Sequence, residues 1–185
     1  VNYVGSTAKT DIDAWYNNNI TGANNNKVAT WNVCNDKSTT KIAMEQEYRE
    51  EYGAATRLWG LWGNKTPQFR CLNASDNIAV KGGLLTADEV AYAGGSYGFM
   101  GPDYYLYDNA KRNDLVGYWW VSSPCTFYSK AENTRMFKVY GSDRRGQLAY
   151  SDVFNGLGLR AVISLVSDTM TVSGDGAKWS PYEIQ

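Results

Sequence analysis

The chain has 185 residues, the length of one domain, and its 18 Lys and Arg against 19 Asp and Glu leave a formal charge of -1 that offers no basic field to nucleic acid or an anionic membrane. It contains no histidine, which excludes Ser-His-Asp and Cys-His catalysis, histidine zinc sites and a histidine pH switch. Aromatics make up 14% of a chain that is only 20% charged, a balance that suits wet interfaces and polar ligand surfaces.

The first predicted element is a helix opening at Thr10, with Asp11 and Asp13 at its positive end and Ile12, Trp15, Tyr16 and Ile20 at helical spacing. The Asn runs at 17–19 and 24–26 read as surface turns. Between Met44 and Trp62 the reading divides evenly: Glu45 to Tyr52 holds helix formers, yet Gly53, Gly60 and Gly63 interrupt them. A second helix is better signalled, because Thr86-Ala87-Asp88-Glu89 forms a capping box, Leu85 can staple onto Val90, and Gly94-Gly95 stops the turn. Strands are then expected at 104–107, 117–122, 135–140, 147–150, 159–166 and 170–172, with Asp143-Arg144-Arg145-Gly146 as a hairpin turn. The pattern predicts one α+β domain over 1–185, with two helices in a helical first half to about residue 95, then a β-rich second half carrying a mostly antiparallel sheet and long loops.

Three cysteines allow one disulfide and one remaining thiol if the compartment is oxidising. Of the three pairings, the polar, loop-like settings favour Cys34 with Cys71; three reduced, buried thiols are the alternative. Cys125 has no histidine to activate it. Asn32, Asn35, Asp36, Asp168 and Asp175 offer oxygen ligands for calcium, without EF-hand spacing, so no cofactor is expected and calcium stays open. The pairs Asp11/Asp13, Glu45/Glu47, Glu50/Glu51 and Asp88/Glu89 read as helix-end or solvated carboxylates, and no catalytic residue is assigned. In Tyr118-Trp119-Trp120-Val121 the two tryptophans must point to opposite faces of a strand. The expected ligand-binding residues are Tyr128, Asn133, Arg135, Tyr150 and Asp152, an aromatic shelf with polar partners.

Several strings together carry a resemblance. Trp15-Tyr16-Asn17-Asn18-Asn19, Cys34-Asn35-Asp36-Lys37-Ser38, the run from Gly83 to Gly95, Tyr118 to Pro124, Gly158 to Leu165 and the closing Gly174 to Ile184 resemble a large group of uncharacterised exported or pilin-associated proteins of Firmicutes and related bacteria. The second half is more loosely similar to C-type-lectin-like and formylglycine-generating-enzyme-like domains. That resemblance implies a scaffold built on Trp119, Trp120, Arg160 and Val162, with 124–158 as a display surface. It further implies an extracellular or cell-surface, non-catalytic recognition domain whose partner is a glycan or a protein. The alternatives are a self-assembling pilus or surface-layer subunit and a secreted carbohydrate-active hydrolase. The calcium-dependent tripeptides Glu-Pro-Asn and Gln-Pro-Asp are absent, so calcium-mediated sugar binding is not implied. No apolar run is long enough to span a membrane, and Val1-Asn2-Tyr3 reads as the start of a mature or excised ectodomain.

Overall fold

The computed structural model describes residues 3–45, 47–59, 66–71, 73–99, 106, 117–141, 144–175 and 179–184. Among them are four helices: α1 (Thr7–Asn19), α2 (Ala23–Asn26), α3 (Gly53–Leu58) and α4 (Ala87–Tyr92). Strands follow in chain order as β1 (Val28–Ala29), β2 (Trp31–Cys34), β3 (Thr39–Ala43), β4 (Tyr48–Tyr52), β5 (Asn77–Val80), β6 (Gly82–Gly83), β7 (Tyr118–Tyr128), β8 (Asn133–Tyr140), β9 (Leu148–Asp152), β10 (Val162–Leu165), β11 (Thr171–Ser173) and β12 (Glu183–Ile184). The class is α+β.

α1 starts a turn before Thr10. Ser6 takes the cap, its hydroxyl accepting the Lys9 N–H at 3.2 Å, and Lys9 pairs with Asp13 one turn on. Ile12 and Tyr16 are buried at one-turn spacing, while Trp15, expected on the same face, stays 40% exposed. α4 keeps its predicted capping box: the Thr86 hydroxyl accepts from Glu89 N–H at 3.1 Å and Glu89 Oε2 accepts from Thr86 N–H at 2.7 Å. Gly95 N–H then bonds back to the Val90 carbonyl at 2.8 Å, with Gly94 at φ 116, as a left-handed stop requires.

The first half is not mainly helical: β1 to β6 all lie before residue 84, and the Asn24–Asn26 run forms a helical turn rather than an irregular one. Helix formers at 48–52 are drawn into β4 because β3 and β7 pair with it on both sides. The main sheet runs β3-β4-β7-β8-β9, every neighbour antiparallel. Its one distant join is β4 to β7, where Arg49, Glu50 and Glu51 face Tyr128, Phe127 and Thr126. β7 runs beyond the expected end at residue 122, through Pro124. The register shifts on both sides of that proline, so its missing N–H falls at a bulge. The expected strand at 104–107 lies outside the described residues except for Leu106, which is buried and helical rather than extended. Asp143 of the predicted hairpin turn also lies outside them.

Strand alternation divides the core. Trp119, Val121, Phe137, Val139 and Leu148 pack with Ala54, Ala55 and Leu58 of α3 and Ala87 and Val90 of α4. Trp120 instead joins Tyr3, Ile12 and Leu84, beside Ala8, Leu159 and Ala161. The two adjacent tryptophans thus anchor two separate clusters.

Candidate functional site

The hairpin of β7 and β8 closes on the facing pair Tyr128 and Asn133, and one step further Arg135 faces Asp152 on β9. These positions share one face of the sheet, so their side chains converge. Asp152 Oδ1 accepts from Arg135 Nε at 2.9 Å and from Asn133 Nδ2 at 2.8 Å. The Arg135 guanidinium lies 4.7 Å from the Tyr128 ring centre and 4.8 Å from that of Tyr150. All five residues expected to bind a ligand therefore meet, and they do so on strands.

Four neighbours were missed. Arg49, opposite Tyr128 across the β4–β7 join, bonds Glu51 at 2.6 Å and places its guanidinium 4.8 Å from the ring of Trp59. Trp59, which ends α3, meets Tyr150 edge-on at 5.7 Å and Tyr97 at 6.4 Å, while Tyr97 and Tyr150 lie nearly parallel at 6.2 Å. The two-residue spacing of Arg49 and Glu51 is the signal that could have found them, had β4 been read as a strand. Burial by itself would lower both arginines. The Tyr128 and Glu51 interactions around Arg49, and Asp152, Tyr150 and Tyr128 around Arg135, together hold both above the ordinary guanidinium value. Burial pushes the Tyr97 hydroxyl up to about 12 against a hydrogen bond with Trp59, so it stays neutral. The result is a half-exposed surface of stacked rings and cations with its carboxylates already paired, built for contact by stacking and hydrogen bonding.

The other singled-out residues have structural settings. Arg160 stacks at 4.0 Å on the ring of Trp119, and both line a cavity of about 530 Å³ with Trp120, Val90 and Val162. The second charged wall residue of that cavity, Glu89, is engaged by Thr86, leaving mainly apolar walls. Asn35 Oδ1 accepts the Tyr3 N–H, and Asp36 pairs with Arg57 at 2.7 Å. Among the described residues no group of three or more His, Cys, Asp or Glu could hold a metal ion. Arg57 also makes a two-pronged bond to Asp88, at 2.9 and 2.8 Å. Cys34 and Cys71 form a disulfide with their Cα atoms 5.3 Å apart, and Cys125 is a free, buried thiol whose ionisation burial suppresses. Among the described residues no helix is long and apolar enough to cross a membrane.

Comparison with protein-family models, curated proteins and solved structures finds no match to this chain.

Proposed function

We propose that this is a non-catalytic recognition domain of the bacterial exterior, with a C-type-lectin-like scaffold that carries its contact surface on β7, β8 and β9. The observation that carries the reading is the convergence of Tyr128, Asn133, Arg135, Tyr150 and Asp152 on one sheet face, with Arg49, Trp59 and Tyr97 alongside. Rings and guanidinium groups held rigid by strands present large contact area at small entropic cost on binding. The disulfide supports an oxidising compartment, as at a cell surface. The binding partner is a glycan or protein on another surface. An array of glycans and surface proteins tests this: the expected outcome is a hit weakened at least about tenfold by Arg135→Ala or Tyr128→Ala. A hit indifferent to both substitutions would place the contact elsewhere.

A second reading, a self-assembling subunit of a filament or surface layer, is favoured by one observation. Met170, Val172, Trp179 and Tyr182, in and beside the β11–β12 ribbon, are 65, 56, 87 and 59% exposed. Sedimentation velocity across a concentration series, together with electron microscopy of the native cell surface, separates the readings. Association abolished by Trp179→Ser, with filaments on cells, selects the subunit; a monomer throughout selects the recognition domain.

A further inference from the structure

Beside the surface of β7, β8 and β9 lies a separate pocket of about 350 Å³, lined by Tyr97, Gly98, Tyr140, Arg144, Gln147, Ala149 and Tyr150. Its size falls at the lower end of the range for small-molecule sites, room for a terminal unit of a chain. Gln147 is only 5% exposed, yet its side-chain amide makes no hydrogen bond among the described residues. Its backbone is fixed on both sides, the N–H donating to the Arg144 carbonyl at 2.9 Å and the carbonyl accepting from Tyr140 N–H at 3.0 Å. The amide atoms are not among the buried polar atoms left without a partner, so they are reached from the open side of the pocket and are free to pair with what enters it. Arg144 stands at the same wall, exposed, its guanidinium 5.6 Å from the Tyr140 ring centre, with no carboxylate partner among the described residues. Tyr97 and Tyr150 add a pair of nearly parallel rings.

We propose that this pocket binds the carboxylate-bearing sugar at the end of a glycan. A sugar ring offers a C–H face to tyrosine, and hydroxyls that both donate and accept, as the Gln147 amide does. A carboxylate on that ring supplies an anion for the exposed Arg144 guanidinium to bond. The pocket shares Tyr97 and Tyr150 with the proposed contact surface, so the inference rests on the recognition reading and gives it a ligand class.

Calorimetry with the full chain tests it, using methyl glucuronide and N-acetylneuraminic acid as acidic probes and methyl glucoside as the neutral counterpart. The expected result is binding of an acidic probe at least about tenfold tighter than of the neutral one, with the preference erased by Arg144→Ala. Gln147→Met, checked for folding by near-ultraviolet circular dichroism, weakens acidic and neutral sugars together. Arg144 is exposed, so its variant stays interpretable if Gln147→Met fails to fold. No acidic-probe binding at about 10 mM, or a preference untouched by Arg144→Ala, overturns the proposal. An array hit lost in Arg135→Ala but unchanged in Arg144→Ala overturns the pocket and leaves the recognition reading standing; filaments of this chain on cells overturn the recognition reading itself.

Discussion

Asp36 serves a helix start and a guanidinium with one carboxylate. It sits at φ 40, a left-handed conformation that aspartate tolerates better than most residues, and there it accepts from the Ala54 N–H while pairing with Arg57. The next element must come very close: a Cβ on Gly53 would lie 2.5 Å from Asp36 Oδ1. Gly53→Ala is therefore expected to destabilise the protein by about 1–3 kcal/mol in urea unfolding. Burial raises Asp36 above its ordinary 3.8, and Arg57 only partly offsets this. The folded protein thus takes up this proton at a higher pH than the unfolded chain does. Its contribution to stability is fully present below 3.8 and is lost as pH rises through the raised folded value. The measurable outcome is that wild type gains stability relative to Asp36→Asn on acidification from neutral pH; a difference constant with pH would contradict it.

Local signals and distant pairings divide what sequence reasoning could see of the elements. α4 was legible because its capping box needs only residues three apart, and Thr86→Ala should cost about 1 kcal/mol of stability in chemical denaturation. β8 was legible from the alternation of Met136, Lys138 and Tyr140 with Phe137 and Val139. β4 was not, since Glu47 to Tyr52 has the composition of a helix and becomes a strand only where β7 supplies its second edge. The same reason hid part of the candidate site. Arg135 and Tyr150 lie within the strands expected at 135–140 and 147–150, Tyr128 and Asp152 lie past the expected ends of β7 and β9, and Arg49 and Trp59 arrive from β4 and α3. Ser6 escaped notice because Thr10, with its two acids behind it, looks the stronger start.

For the molecule as a whole, the cysteines give a test of compartment and fold together. The Cys34–Cys71 bridge closes a separation of 37 residues that includes Asp36 and Arg57, and by chain entropy contributes roughly 4 kcal/mol. Mass spectrometry after alkylation should show no added label on the native protein, one after denaturation without reductant, at Cys125, and three after reduction as well. A native protein that takes up label would contradict the burial of Cys125. Loss of the bridge alone, as Cys34→Ala with Cys71→Ala, should lower the denaturant midpoint sharply.

The join between β4 and β7 has a consequence in time. Strands β3 and β4 belong to the early part of the chain and β7, β8 and β9 to the late part, and the sheet becomes continuous only when β4 pairs with β7, a join closed at its end by Ser129 N–H to the Tyr48 carbonyl at 3.1 Å and Tyr48 N–H to Ser129 Oγ at 2.9 Å. Arg49 and Tyr128 meet beside those bonds. The Arg49 and Trp59 side of the contact surface therefore depends on closing a long loop, which is slow, whereas the β7–β8–β9 side needs only neighbouring strands. Anything that binds there also fastens the two portions of the chain to each other, so occupancy should register as slowed hydrogen exchange at the Tyr48 and Ser129 amides.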